Sequence, residues 1–195
     1  SGYTVHDFGN GTIGNRIELG GGPIILHWSD PGTLDVPASG NDYDIFVVTP
    51  DMRSVAVAAT DIQDGNDQPF EFLGFNVPSE YRVVIAKKPG AANRAVRTLI
   101  FGGEYALATA SSTYGHSAVN DAVSAAAVDV ALAGTGEFTG GPTTQVELFS
   151  ADGHRNIFYR RDGTLIGPAA TFLAGHPEDR WKPDLAGADG VSTTL

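Results

Sequence analysis

The sequence predicts a mainly β protein, with an antiparallel β-sandwich or jelly roll followed by a segment of different character. Apolar and polar residues alternate in short runs, and turn residues separate these runs. Glycine and proline are frequent, with 25 and 11 residues, and they mark turns at short intervals. No helical periodicity of any length interrupts residues 20–108. Many short strands joined by tight turns are typical of sandwiches and jelly rolls.

A first strand is expected in residues 12–19, the one alternating stretch of a glycine-rich beginning. Six more strands are predicted between clear turn signals, at residues 23–31, 41–50, 54–62, 70–77, 81–89 and 93–103. The second of these six has the cleanest alternation. Its two faces are Tyr43, Ile45 and Val47 on one side and Asp44, Phe46 and Val48 on the other.

The residues after position 108 differ in composition. The stretch 112–134 is rich in alanine, and it is compatible with a helix or with a buried strand. Two short strands around a turn are expected in residues 143–163, and residues 164–184 are expected to be mostly irregular. Trp28 and Trp181 are both interpreted as core anchors. The predicted organisation is a leading strand and linker at 1–19, a β-sandwich at 20–108, and a distinct segment at 109–195.

The charge balance excludes one large class of partners. The chain has 12 Lys and Arg against 23 Asp and Glu, a formal net charge of -11. Nucleic-acid binding needs a basic face, so a nucleic-acid partner is not expected. The chain has no cysteine and no apolar run long enough to span a membrane. This acidic composition suits a secreted or extracytoplasmic protein.

Three short motifs occur in a fixed order in the second segment. A run of small residues leads to the candidate strand 122–128. A Phe-Ser-Ala-Asp-Gly turn follows at 149–153, and Lys182-Pro183-Asp184 then leads to Gly190-Val191-Ser192-Thr193. This order resembles the later part of the subtilisin-like serine peptidases. In that family, the next motif is Gly-Thr-Ser-x-Ala-x-Pro, which holds the nucleophile.

The resemblance implies a fold and a role for the whole chain. Residues 109–195 would be part of the α/β protease domain, whose sheet is parallel and mostly buried. Residues 20–108 would be a β-sandwich insertion similar to pre-peptidase C-terminal domains, and "LHWSDP" (26–31) and "SGNDYDIFVV" (39–48) resemble its start. The implied partners are the rest of the parent protease domain and the parent's polypeptide substrate. Apolar edges left exposed would favour either a homodimer or a local rearrangement.

The residues that the family uses for catalysis are not found in this sequence. Gly-Thr occurs at 11, 32, 134 and 163, but serine follows none of these pairs. No histidine is followed by glycine, no Asp-Ser-Gly or Asp-Thr-Gly occurs, and no Ala-Gly-Asn supplies the oxyanion donor. The resemblance therefore implies a portion that lies between the oxyanion Asn and the nucleophile Ser. We expect this chain alone to be inactive as a peptidase.

A metal hypothesis concerns the loop 60–68, which gathers Asp61, Asp64, Asn66 and Asp67. Oxygen ligands on a glycine-containing loop suit calcium, although the spacing does not match an EF-hand. The alternative is a polar hairpin loop that uses Asp, Asn and Gly for its turns. No other cofactor is expected. A second acidic set could share a cation or could fix the loop 31–40 through local hydrogen bonds; its members are Asp30, Asn41, Asp42 and Asp44.

Two further groups of polar residues have competing interpretations. A Ser-His-Asp site would use Ser112 or Ser117 with His116 and Asp121, whereas a structural role makes His116 a hydrogen-bonded residue at the start of a buried strand. The stretch from His154 to Arg161 is either a binding surface or an exposed hairpin with its aromatic residues packed inward.

The function therefore has two competing hypotheses. The first is the non-catalytic portion of a subtilisin-like serine endopeptidase, in which the sandwich has a structural or substrate-positioning role. The second is a free-standing secreted β-sandwich binding module, with calcium as a candidate ligand.

Overall fold

The computed structural model describes residues 2–32, 39–133, 141, 144–167, 171 and 178–192. The strands in these residues, in chain order, are β1 (Thr4–Val5), β2 (Asn15–Leu19), β3 (Ile24–Trp28), β4 (Tyr43–Val48), β5 (Val55–Ala59), β6 (Phe70–Leu73), β7 (Arg82–Lys87), β8 (Val96–Ile100), β9 (Glu104–Tyr105), β10 (Ala125–Asp129), β11 (His154–Ile157), β12 (Glu178–Trp181) and β13 (Leu185–Asp189). Two short 3₁₀ turns, Gly115–Ala118 and Val130–Ala133, are the only helical elements of the described residues.

The chain divides into two compact units. The first unit consists of Ser1–Ala108 with Phe158–Pro177, and the second consists of Thr109–Ile157 with Glu178–Leu195. No helix in the described part of the chain has the length and apolar character that a membrane crossing requires.

The first unit contains two antiparallel sheets. One has the strand order β5-β4-β7-β2-β9, and β1 also pairs with β7, at Ala86 and Lys87, beyond the part of β7 that pairs with β2. The other has the order β6-β3-β8. The alternating sequence pattern explains this arrangement, because every second side chain of a strand points to the same face. The mainly β fold with antiparallel sheets, predicted from the alternation, is confirmed, and each of the six strands predicted in residues 23–103 is present.

One hydrophobic cluster joins the inner faces of these two sheets and forms a β-sandwich core. The large sheet contributes residues such as Ile45 and Ile85, and the small sheet contributes Leu26 and Trp28, all of them almost fully buried. Burial of this apolar surface is the main stabilising term of the unit. Trp28 is a core anchor, as the sequence predicts.

The outer face of the small sheet carries a row of apolar side chains. Ile25 of β3 is paired with Phe72 on β6 and with Leu99 on β8, so the three lie side by side. Phe72 is 52% exposed and Leu99 is 38% exposed. We call these three residues the apolar row. Contiguous exposed apolar surface of this kind is typical of an interaction site.

The second unit contains two separate strand pairs. β10 is paired in parallel with β13, in a register that runs from Ala125 opposite Leu185 to Asp129 opposite Asp189. β11 and β12 pair in antiparallel fashion. The alanine-rich stretch, for which helix and strand were both open, is therefore a strand followed by a 3₁₀ turn.

Several sequence predictions about the second unit are wrong. Only β11 lies among the described residues of 143–163, where two strands were expected, because residues 144–147 have no strand partner. β12 lies in the region 164–184, which was expected to be mostly irregular, and it is a strand because it pairs with β11. β13 follows that region and pairs with β10. Trp181 is 73% exposed and is not a core anchor. Parts of the irregular region, 168–170 and 172–177, lie outside the described residues.

Candidate functional site

The Lys-Pro-Asp segment is hydrogen-bonded to the residues just before β10. Lys182 is only 5% exposed, and its Nζ donates to the carbonyl oxygen of Ala122 at 2.6 Å and to Asp184 Oδ2 at 2.8 Å. Asp184 Oδ2 also accepts from the backbone N of Ser124 at 2.8 Å and from its Oγ at 3.0 Å. The backbone N of Asp184 donates back to the Ser124 carbonyl oxygen at 2.9 Å. Lys182 and Asp184 therefore fix where β13 starts beside β10.

These contacts also change the acidity of Asp184. The hydrogen bond from Lys182, together with those from Ser124, lowers its pKa from 3.8 to about 2. Donors that stabilise the charged carboxylate lower the pKa because protonation would weaken each of their bonds. Asp184 is thus ionised at neutral pH, and its charge holds two backbone segments together.

The Phe-Ser-Ala-Asp-Gly turn and the residues before it are hydrogen-bonded to the middle of the same strand. The backbone N of Ala127 donates to Ser150 Oγ at 2.9 Å, and the backbone N of Glu147 donates to the Ala127 carbonyl oxygen at 2.8 Å. β10 is therefore bounded by β13 along one edge and by this turn along the other. All three motifs that carry the family resemblance meet at β10.

Asp152 connects this turn to the segment that precedes β10. Its Oδ1 accepts from the Oγ of Ser112 at 2.6 Å and from the backbone N of Ser112 at 2.9 Å. Its carbonyl oxygen accepts from the Oγ1 of Thr113, which is 1% exposed, at 3.0 Å. The bonds from Ser112 lower the pKa of Asp152. Ser112 is therefore engaged in fixing a loop.

The candidate Ser-His-Asp site is not assembled. His116 is exposed on the 3₁₀ turn Gly115–Ala118, and within the described residues its ring forms no hydrogen bond to Ser117 or Asp121. Its carbonyl oxygen accepts from Val119 N, which is a backbone role. The exposed ring also differs from the expected hydrogen-bonded residue at the start of a buried strand.

A second histidine has the carboxylate partner that His116 lacks. His154 Nδ1 lies 2.9 Å from Asp179 Oδ2, and the centres of the His154 and Trp181 rings lie 4.0 Å apart with their planes tilted by 51°. The guanidinium of Arg155 lies 5.3 Å from the ring centre of Tyr114. These contacts join β11 to β12 and to the loop before β10. β11 therefore pairs with β12, and the aromatic Phe158 is buried, as the hairpin interpretation expects of the aromatic residues. A binding surface in this stretch stays a prediction.

The candidate calcium ligands lie on an exposed loop between β5 and β6. Asp61, Asp64, Asn66 and Asp67 all have exposed side chains. The carbonyl oxygen of Asp67 accepts from Ser39 N at 2.8 Å, and this backbone bridge fixes the loop. In the part of the chain that the structure describes, no group of three or more His, Cys, Asp or Glu residues is arranged to hold a metal ion. Calcium binding by the four residues stays a prediction, and melting curves in calcium and in EDTA would test it.

The second acidic set already has protein cations beside it. Asp30 is 8% exposed; its Oδ1 accepts from the guanidinium of Arg94, and its Oδ2 accepts from Ser39 Oγ at 2.6 Å and from Asn41 Nδ2 at 2.7 Å. The indole Nε1 of Trp28 donates to the same Ser39 Oγ at 3.0 Å. The bonds of Asp30 are thus made to side chains and not to the local backbone that was expected, and the Asn41 side chain accepts from a distant backbone group, Ala92 N, at 2.6 Å. Residues 33–38 of the loop that they were expected to fix lie outside the described residues.

A single cation, Lys88, lies between the other two members of that set. Its Nζ donates to Asp42 Oδ2 at 2.9 Å and lies 3.4 Å from Asp44 Oδ1. Asp44 is fully buried, and burial raises its pKa while the Lys88 charge opposes this change. Sequence reasoning did not single out Lys88 or Arg94, because each is more than 40 residues from its acidic partner.

A fourth acidic residue, Glu71, was missed by sequence reasoning although a signal was present. The alternation of β6 puts Glu71 on the same face as Leu73, opposite Leu26 of β3, which is the core face. Glu71 is 1% exposed, and its Oε1 accepts from Gln63 Nε2 at 2.9 Å. An ionisable residue at an inward position of a strand is unusual and could have been noticed from the sequence.

Comparison with known proteins gives no match for this chain among protein-family models, curated proteins or solved structures.

Proposed function

We propose that this chain is a non-catalytic portion of a subtilisin-like serine endopeptidase, lying between the oxyanion Asn and the nucleophile Ser of a parent that hydrolyses peptide bonds. The β-sandwich in this proposal is an insertion with a structural or substrate-positioning role. The rest of the parent protease domain is the partner of residues 109–195, and the parent acts outside the cytoplasm.

The observation that carries the proposal is the parallel pairing of β10 with β13. The family resemblance implies a parallel sheet in this segment, and parallel pairing is uncommon in a chain whose other sheets are antiparallel. The motif residues themselves make the pairing, because Lys182 and Asp184 bind Ala122 and Ser124 at the start of β10. The motifs that occur in the family's order along the sequence are thus also in contact in space, although they are about 60 residues apart.

The hydrogen-bonding role of the motif residues supports a non-catalytic assignment for this segment. Ser112, Ser124 and Ser150 each bind a backbone or carboxylate group of a neighbouring segment. An activated nucleophile instead needs a general base at hydrogen-bond distance. The sequence also lacks each of the local motifs in which the family places its triad and oxyanion residues.

The apolar row supports a substrate-positioning role for the sandwich. Ile25, Phe72 and Leu99 form a ridge on the outer face of the small sheet. An extended polypeptide could lie along such a ridge and bury its own apolar side chains there. A Phe72→Ser variant is expected to bind an unfolded polypeptide such as reduced, alkylated lactalbumin more weakly than the wild type. Phe75→Ser, at a side chain that is 64% exposed outside the row, is the matched control.

A direct experiment tests the catalytic part of the proposal. The purified chain is incubated with casein and, separately, with a fluorophosphonate probe that labels activated serines. Neither hydrolysis nor labelling is expected. Hydrolysis that disappears in a folded His116→Ala variant would replace the proposal with a small hydrolase.

The coding region around this chain tests the family assignment itself. The proposal requires Asp-Ser-Gly or Asp-Thr-Gly, His-Gly and Ala-Gly-Asn upstream, and Gly-Thr-Ser-x-Ala downstream, in one reading frame. A reading frame without these motifs would overturn it and would favour the free-standing binding module. For that module, a calcium-dependent rise in melting temperature that is lost in Asp64→Asn is the expected behaviour.

A further inference from the structure

Glu71 and Gln63 form a hydrogen-bonded pair inside the sandwich. With a charged carboxylate, two oxygen atoms of this pair would have no hydrogen-bond donor. Gln63 is 4% exposed and Glu71 is 1% exposed, and one hydrogen bond of 2.9 Å joins Gln63 Nε2 to Glu71 Oε1. Among the residues that the structure describes, the other oxygen of each side chain, Gln63 Oε1 and Glu71 Oε2, is buried and has no hydrogen-bond partner. Buried polar atoms are nearly always paired, so two such atoms on one bonded pair need an explanation.

A single proton would satisfy both atoms. A carboxylic acid and a primary amide each present one donor and one acceptor, side by side in one plane. If Glu71 Oε2 carries a proton, it becomes a donor, and Gln63 Oε1 is the acceptor that lacks a partner. The two side chains would then be joined by two parallel hydrogen bonds, and no charge would remain in the core.

We propose that Glu71 is protonated in the folded protein and donates from Oε2 to Gln63 Oε1, and that ionisation of this acid–amide pair makes the sandwich a pH-sensitive element. Leu26, the residue opposite Glu71 on β3, contributes no charge. The ionisable groups that face Glu71 from the other elements are acidic, namely Asp61 after β5 and Asp42 and Asp44 at the start of β4. The nearby cation, Lys88, is bound to Asp42 and Asp44.

The electrostatics of the site agree with this geometry. Burial raises the pKa of Glu71 to about 7, the hydrogen bond from Gln63 opposes the rise, and Asp61, Asp44 and Asp42 add to it. In the unfolded chain the same group ionises near its ordinary value of 4.5. The stabilising contribution of the neutral pair is therefore complete below pH 4.5, decreases as the pH rises from 4.5 to about 7, and is lost above that.

The test compares the wild type with Glu71→Gln across pH. A glutamine at this position keeps both hydrogen bonds with Gln63 but cannot ionise. We expect the wild-type unfolding constant, divided by that of the variant, to rise on the order of 10- to 100-fold between pH 5 and pH 8. Glu104→Gln, the same substitution at an exposed position of β9 in the same unit, is the control and should leave this pH dependence of the wild type in place.

A direct measurement keeps the proposal testable if the variant folds poorly. The side-chain carboxyl ¹³C resonance of Glu71 in the wild type is followed by NMR from pH 4 to pH 9, and its midpoint is expected near 7. A midpoint below 5, or an unfolding ratio that does not change with pH, would overturn the proposal. Stabilisation of the wild type by calcium at pH 8 that is absent in Glu71→Gln would also overturn it, because a cation would then take the place of the proton.

Discussion

Lys182 and Asp184, two residues apart, hold the ends of two parallel strands together. The Lys182 ammonium lies 2.8 Å from Asp184 Oδ2 and 2.6 Å from the Ala122 carbonyl oxygen. Both groups bind the residues just before β10, while the backbone that carries them continues into β13. A parallel pair has no hairpin to set its register, so side-chain contacts at the strand ends must do so. This relationship underlies the first two predictions.

Removal of the Lys182 amino group should loosen the second unit. Lys182→Met keeps most of the aliphatic side chain but leaves the partly buried Ala122 carbonyl oxygen without its donor. We expect a loss of about 1–3 kcal/mol in the free energy of unfolding, measured by urea denaturation. Lys87→Met is the control, because the Lys87 amino group donates to the Asn93 side chain at an exposed position, and it should cost less than about 1 kcal/mol. Equal losses in the two variants would contradict the structural role of Lys182.

Acid should weaken the second unit through Asp184. Because the pKa of Asp184 is lowered from 3.8 to about 2, its stabilising contribution is complete above pH 3.8 and is lost as the pH falls to about 2. Asp184→Asn should remove this part of the acid sensitivity. The pKa values of Asp152 and Glu178 are also lowered, but both proteins contain these residues. The difference in stability between the two proteins at each pH therefore reports on Asp184.

The two tryptophans allow this effect to be measured separately in each unit. The indole N–H resonance of Trp181 reports on the second unit, and that of Trp28 reports on the first. Asp184→Asn is expected to change the acid profile of the Trp181 resonance and to leave that of Trp28 as in the wild type. A change of both profiles would mean that Asp184 acts beyond its own unit.

The Arg94–Asp30 pair should be far more important than an exposed pair. Arg94→Met leaves the nearly buried Asp30 carboxylate with donors from Ser39 and Asn41 but with no cation. Loss of one partner of a buried ion pair costs about 3–5 kcal/mol, and the two remaining donors place the expected loss near the lower end. Thermal unfolding measures it.

Arg53→Met is the matched control for Arg94→Met. The Arg53 side chain is 85% exposed and lies 3.9 Å from Asp51 Oδ2, so its ion pair is screened by water. The expected cost is below about 1 kcal/mol. A cost as large as that of Arg94→Met would show that burial does not decide the strength of these two pairs.

Trp28 and Trp181 should respond differently to the same substitution. Trp28→Phe removes the indole donor of the buried Ser39 Oγ and leaves space in the core, so a loss of about 1–3 kcal/mol is expected. Trp181→Phe changes a side chain that is 73% exposed, and phenylalanine can keep the ring contact with His154, so a loss below about 0.5 kcal/mol is expected. Chemical denaturation of both variants under one set of conditions makes the comparison. A larger loss in Trp181→Phe would contradict the placement of the two residues.

Much of the first unit follows from local sequence pattern. Strict alternation in residues 43–48 is enough to predict a strand with Ile45 in the core, because the period of two is a local property of extended backbone. The same pattern would have predicted Glu71 as an inward residue. The very short strands β1 and β9 were missed because two residues carry too little periodicity, and only their pairing with β7 and β2 defines them.

The candidate site depended on contacts that no local pattern encodes. The sequence by itself determined the alternating strands, the turns between them, the acidic charge and the order of the three motifs. Tertiary structure decided that Lys88 and Arg94 form ion pairs with the acidic set, that Trp181 is exposed, and that β13 pairs in parallel with β10. The physical reason is that strand partners and buried ion pairs join residues far apart in the chain, and their free energy depends on burial, which a local pattern does not contain.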